Sequence, residues 1–245
     1  MNFIKFLLKK ILYKFNIRIF NKYNYYFGID SCIKKILVKK KNNELIIFDV
    51  GANIGQSVDR FRKYQQKSKI FSFEPDPNVY KVLELKKKND PNLFTHNIAL
   101  CSNKKKSILY TQDNSAESSL LKMNTNKLNS NIPIKIKCDT IFSFCKKNKI
   151  KKIDILKIDT QGSEYNIIKG CGNFLKNIFI IEAEIIFNNV WKNSPSIGEL
   201  ENFLKRFGFV IWDFPNIVKF PQDDIDRIFF IDVIFVNLNL LKNYK

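Results

Sequence analysis

The sequence predicts an α/β fold: a doubly wound sheet of seven strands, mostly parallel, that closes on an antiparallel C-terminal hairpin. Three observations predict it. From residue 44 onward, short and almost continuously apolar runs alternate with charged stretches of helical length, as parallel strands covered on both faces require. A glycine-rich turn, Gly51-Ala-Asn-Ile-Gly55, follows the first run directly and hands it over to a helix. After the fifth run the rhythm breaks, and two further strands follow one another with only a turn between them, which makes them antiparallel.

A chain of 245 residues, 45% of them hydrophobic, holds enough material for one core and too little for two full-sized domains. Residues 1–43 form an N-terminal extension, 44–238 the domain and 239–245 a short tail. The extension opens with a basic amphipathic helix that carries Ile4, Leu7, Leu8, Ile11 and Phe15 on one face and Lys5, Lys9 and Asn16 on another. Its apolar runs fall short of the about 20 residues that span a bilayer, and no small-residue cleavage site follows. Two roles fit it: a helix packed on the domain, or peripheral contact of residues 1–20 with an anionic membrane. In the domain, strands are expected at 44–50, 69–73, 93–100, 153–159 and 178–184, with helices near 55–66, 76–89, 140–149 and 163–171 as right-handed crossovers. A helix near 196–207 then leads to strands at 208–214 and 227–236. Residues 111–131 are polar, aperiodic and long for a connection in a compact domain, which marks them as functional and, here, as the acceptor side.

Composition narrows the chemistry. Forty-two Lys and Arg against 23 Asp and Glu give a net charge of +19, which favours polyanionic partners; yet 37 of those cations are Lys and five are Arg, the residue suited to bidentate base and phosphate contacts. Nucleic acid is therefore not the expected partner. Five cysteines, an odd number without a CxxC pair, support neither a disulfide framework nor a zinc ribbon and suit reduced thiols in the cytoplasm. The single histidine, His96, excludes histidine-rich metal centres and HExxH proteolysis; no metal is expected, and a general base should be a carboxylate. His96 itself is expected to be a core or edge residue.

The strongest local signal is Asp49-Val-Gly51-Ala-Asn53-Ile-Gly55-Gln56 at the end of the first strand. Glycines there allow a sharp turn and close approach of the backbone to a ligand, and the helix start offers free N–H groups. The pattern is GxNxG led by an acid rather than the GxGxxG of pyrophosphate binders. An Asp in that place suits a cationic or amino-bearing ligand, and S-adenosylmethionine carries both a sulfonium and an amino group. Glu74, at the end of the second strand in Phe73-Glu-Pro-Asp76, stands where an acid accepts hydrogen bonds from ribose hydroxyls, and Asn97 is placed to meet the adenine edge. Asp159 ends the fourth strand beside the switch-point crevice, followed by Gly162 and Glu164; Glu182 and Glu184 alternate with Ala183 in the fifth. Acids within an apolar strand are costly unless they bind something. Cofactor contacts thus fall on Asp49, Gly51, Asn53, Gly55, Glu74 and Asn97, and the reaction centre on Asp159, Glu164, Glu182 and Glu184.

With FDVGANIGQ, FEPDP, NIAL, NSAESSL, DILKIDTQGSE, IEAEI followed by Trp191, and FLKRFGF in this order, the chain resembles the FkbM family of S-adenosylmethionine-dependent methyltransferases over about residues 44–238. The resemblance implies a class I methyltransferase (Rossmann-like) fold, S-adenosylmethionine as donor and O-methylation of a hydroxyl on a sugar, glycan or related metabolite. It points to the same acids and glycines as site residues. Since a sugar hydroxyl is a poor nucleophile at neutral pH, a nearby carboxylate is needed: Asp159 is the expected base, with Glu182 or Glu184 orienting the acceptor hydroxyls. One departure stands out: the family pattern has Thr-Leu-Asp before the fourth-strand helix, where this chain reads Thr140-Ile-Phe142. Two other functions compete: an RNA-modifying methyltransferase, favoured by net charge, and a non-catalytic cofactor-binding protein recruited to membranes by its extension.

Overall fold

In the computed structural model, residues 44–111, 118–122, 133–187, 191, 196–219 and 227–241 are described. The extension of residues 1–43 and most of the 111–131 loop lie outside them. Along the chain come β1 (Ile46–Val50), α1 (Gln56–Tyr64), β2 (Lys69–Phe73), α2 (Pro77–Lys87), β3 (Leu93–His96), β4 (Ala99–Leu100), β5 (Lys105–Tyr110) and β6 (Pro133–Asp139). Then follow α3 (Ile141–Lys147), β7 (Ile153–Ile158), α4 (Glu164–Lys169), β8 (Ile178–Ile186), α5 (Ile197–Lys205), β9 (Phe209–Lys219), β10 (Ile228–Asn237) and α6 (Leu238–Leu241).

Seven strands form the main sheet in the order β3-β2-β1-β7-β8-β10-β9. β1 pairs in parallel with both β2 and β7, so the chain order reverses at β1, and β10 runs antiparallel to β8 and β9. This is the expected class I methyltransferase sheet, and it puts the ends of β1 and β7 side by side at the crevice where such sheets bind ligands. Apolar side chains fill both faces. Phe48, Val50, Leu156, Ile158, Ile181 and Ala183 join one buried cluster with Phe144 of α3 and Leu200 of α5. Ile47, Ile155, Ile180 and Ile234 join another with Val58 and Phe61 of α1 and Leu83 of α2. Two residues further along each strand the second face turns ionic: Asp49, Lys157 and Glu182 lie in register across β1, β7 and β8.

Three local results differ from the sequence expectation. The run 93–100 is two strands, because the Asn97 side-chain amide donates to the carbonyls of Glu74 (2.9 Å) and Pro75 (3.1 Å) and turns the chain. Ala99 and Leu100 then pair with Cys138 and Asp139 in a separate sheet of order β4-β6-β5. β5 and β6 escape an apolar-run criterion because each carries two exposed lysines and buries at most two side chains. Finally, α6 draws Leu240 and Leu241 onto the core, so the domain takes in residues assigned to the tail. Thr140, just before the Ile141-Phe142 departure from the family pattern, caps α3 with its hydroxyl accepting from the Ser143 N–H at 3.0 Å. Among the described residues no helix is long and apolar enough to cross a membrane.

Candidate active site

The turn after β1 is built backbone against backbone. Gly51 has φ +77°, and a Cβ there would lie 1.9 Å from the carbonyl oxygen of Asp159, at the end of β7. The Gly51 and Ala52 N–H groups donate to the Phe73 carbonyl, and the Asp159 N–H donates to that of Val50, so the ladders on both sides of β1 continue into the turn. Asn53 follows at φ 48°, and Gly55 at φ 89° starts α1. Strain of this kind persists where the surroundings over-determine it.

Glu74 closes the turn from the β2 side. Its carboxylate is buried and accepts from the backbone N–H of Asn53 (2.9 Å) and of Asp76 (2.8 Å). Burial pushes its pKa up to about 7 in spite of those two donors. Pro75 and Asp76 follow, and Asp76 caps α2 by accepting from the N–H groups of Asn78 and Val79. Between Glu74, the turn, the Ile98–Leu100 segment and Asp159 lies a cavity of about 280 Å³. Gly51, Asn53 and Glu74 line it; Asp49 and Gly55 do not. Asn97 does not reach it either, since its amide is committed to holding the Glu74-Pro75 carbonyls.

Beneath the cavity floor, Asp49 is fully buried, and neither carboxylate oxygen has a hydrogen bond among the described residues. Its counter-charge is Lys157, with Nζ at 3.7 Å. Burial raises the Asp49 pKa, and Lys157 and Arg60 oppose that rise. Lys157 lines the cavity and also reaches Asp159 Oδ2 at 3.2 Å. Burial alone would lower the lysine pKa, but the carboxylates of Asp159, Asp49 and Glu182 hold it above its ordinary value. Lys157 had no assigned role in the sequence; its signal was a lone cation inside the apolar run Ile153–Ile158.

Of the four acids expected at the reaction centre, Asp159 lines the cavity, its side chain 40% exposed. The others are engaged elsewhere. Glu164 is buried and accepts from the Thr160 N–H, the Thr160 hydroxyl and the Gly162 N–H, fixing the turn that follows β7. Glu182 receives both guanidinium nitrogens of Arg60, at 2.9 and 2.5 Å, which ties α1 to β8. Glu184 accepts from the Gln161 side-chain amide at 2.8 Å. Burial, then Asp159, Glu164 and Asp232, push its pKa up to about 8. As expected, His96 is a neutral aromatic plate: it stacks on Phe73 at 5.2 Å, meets Phe144 edge-on at 4.9 Å, and burial pushes its pKa down to about 4. Among the described residues no group of three His, Cys, Asp or Glu side chains could hold a metal ion.

Burial also raises Glu164 to about 7, so three site carboxylates keep protons that the unfolded chain has released by pH 6. Where the native state binds more protons, stability falls as pH rises. The thermal midpoint of the ligand-free protein is therefore expected to fall between pH 6 and pH 8. Two groups act in the opposite direction: His96, unprotonated in the native state, below pH 6.5, and Cys101, which its contact with Cys138 holds down to about 7, above pH 7; the three carboxylates outnumber either. A flat midpoint in scanning calorimetry from pH 6 to 8 would contradict the assigned burial.

A sequence model described as the methyltransferase FkbM domain matches residues 49–211, about two thirds of the chain. The chain belongs to the FkbM methyltransferase family. Among curated proteins, this FkbM domain is 25% identical over 153 residues to the hexuronic acid methyltransferase AglP of Haloferax volcanii, a match that spans 62% of this chain and 60% of that protein. Among solved structures it is similar to a precorrin-6y C5,15-methyltransferase from Geobacter metallireducens (TM-score 0.42, 10% identity, 80% of this chain and 82% of that one). It is also similar to M. capricolum TrmK in complex with S-adenosylhomocysteine (TM-score 0.46, 12% identity, 82% and 65%). The cofactor of the family is S-adenosylmethionine, and the cavity fits it. A turn with no side chain at Gly51, an acid at the β2 end and an apolar wall of Ile98, Leu100 and Leu109 suit a nucleoside, while Asp159 at the β7 end suits a cationic group.

Proposed function

We propose that this FkbM methyltransferase methylates a hydroxyl of a sugar, glycan or related small metabolite, with Asp159 as the general base. The observation that carries this reading is the half-exposed Asp159 carboxylate on the cavity wall, held at Oδ2 by Lys157. S-adenosylmethionine supplies a methyl group already activated by its sulfonium, so the chain's own residues have to align an acceptor oxygen and take its proton. The Gly51–Asn53 turn and Glu74 hold the cofactor. Asp159, fixed through Oδ2, keeps Oδ1 for the acceptor hydroxyl and takes up its proton there. A sugar-acting relative supports the class of acceptor.

The net charge of +19 favours an RNA acceptor instead. Around Asp159, however, the half-buried neighbour Asp232 is an acid, which opposes a phosphate backbone at the point of reaction. The two readings separate when the purified protein and methyl-tritiated S-adenosylmethionine are incubated with glycan and RNA fractions of the source cells. Label in the glycan fraction is expected; label confined to RNA would overturn the proposal.

Glu74 gives a second expectation. Glu74→Gln turns an NH₂ toward one of two backbone N–H donors, so affinity for S-adenosylhomocysteine should drop ~10-fold, the equivalent of one lost hydrogen bond. Turnover at saturating cofactor should change little. Calorimetry and initial rates measure the two quantities separately, and an unchanged affinity would remove Glu74 from the cofactor site.

A further inference from the structure

Residues 118–121 stand apart from the loop they belong to, because they are pinned at several points. Ser119 pairs with Tyr110 at the end of β5, its N–H donating at 3.0 Å and its carbonyl accepting at 2.8 Å. Its side chain, 1% exposed, donates from Oγ to the Gln161 carbonyl at 2.6 Å and accepts from the Leu121 N–H at 3.0 Å. Gln161 belongs to the turn after β7, is held at φ 54°, and engages Glu184 with its amide. One hydroxyl thus joins the outer sheet to the loop that carries Asp159.

The pinned segment faces the cavity. Ser118, Ser119 and Leu120 line it along with Gly51–Asn53 and with Leu109 of β5. Ser118 Oγ is buried in that wall and has no hydrogen-bond partner among the described residues. A buried hydroxyl left unpaired costs about 1–3 kcal/mol, so a native structure that keeps one calls for a partner. Of the two ligands proposed above, the cofactor is the one assigned to the Gly51–Asn53 turn, which lines the same cavity as this wall.

We propose that Ser119 is a positioning residue that latches the 118–120 segment over bound S-adenosylmethionine and so presents the Ser118 hydroxyl to it as a hydrogen-bonding group. This rests on the cofactor assignment above and assigns part of the polar loop to the cofactor rather than to the acceptor. The same latch makes the loaded cavity and the Gln161-Glu184 contact interdependent. Closing the wall slows escape of the ligand more than it affects arrival.

The test uses the full chain and S-adenosylhomocysteine as the probe, with Ser119→Ala and Ser118→Ala. Calorimetry and stopped-flow fluorescence should show binding weakened ~10-fold in each variant. For Ser119→Ala the loss should lie mainly in a faster dissociation rate, while the ligand-free thermal midpoint stays within ~3 °C of wild type, as for a change confined to a local unit. Unchanged affinity in either variant overturns the proposal. So does a larger fall of the ligand-free midpoint, because Ser119 would then be holding the fold rather than the wall. If the unaltered protein fails to bind S-adenosylhomocysteine, the cofactor assignment itself falls, a result visible before any variant is made.

Discussion

Asp159→Asn is expected to slow methyl transfer about 10²–10⁴-fold while leaving affinity for S-adenosylhomocysteine within about twofold. Asparagine keeps the shape of the side chain and can still accept from Lys157 at the 3.2 Å contact, so the geometry beside the cavity persists and only the proton acceptor is lost. Single-turnover transfer from labelled S-adenosylmethionine to the glycan acceptor gives the rate; calorimetry gives the affinity. Near-normal turnover would move the base to Glu184, the one other reaction-centre acid outside a backbone or guanidinium clamp. Glu74→Gln should show the opposite division, weaker binding with a preserved rate, which separates the two ends of the cavity.

Lys157→Met should cost ~3–5 kcal/mol of stability, the penalty for stranding a buried charge. Asp49 would then be left at 0% exposure without its counter-charge. The deficit should depend on pH. Burial already raises the Asp49 pKa above its unfolded value, and removing Lys157 raises it further. The native variant therefore binds a proton that the unfolded chain has released, and its stability recovers as pH falls toward the raised value. Urea unfolding at pH 5 and pH 8 should show the gap to wild type narrower at pH 5. Asp49→Asn in the same variant should restore most of the loss at pH 8, since no charge is then stranded. A double variant as unstable as Lys157→Met alone would show that the lysine acts through packing instead.

Parallel strands covered on both faces write themselves into a sequence as apolar runs, and for that reason β1, β2, β7 and β8 and the reversal at β1 were legible. The side sheet was not, because β5 and β6 bury only Leu109, Ile136 and Cys138 and carry exposed lysines around them, which resembles a solvated stretch. The candidate site divides in the same way. Glycine and acid at strand ends pointed to Gly51, Asn53, Glu74 and Asp159, all of which line the cavity. Residue type could not reveal what each acid touches: Glu164 is spent on its own turn, and Glu182 on Arg60, a contact that depends on α1 and β8 meeting across more than a hundred residues of chain. Lys157 and Ser119 were missed because their partners, Asp49 and the Gln161 carbonyl, come from other elements.

The contact of Gly51 with the Asp159 carbonyl has a mechanical meaning as well. In the proposed reaction, the cradle for the donor and the support of the base meet main chain to main chain, with no rotatable side-chain bond between them. Positional error therefore does not accumulate along flexible torsions. The separation of the two partners is set by peptide geometry before either ligand arrives, and little reorganisation remains for the reaction itself. Any side chain at position 51 would act as a shim driven into that joint, moving the base away from the donor by the thickness of a methyl group.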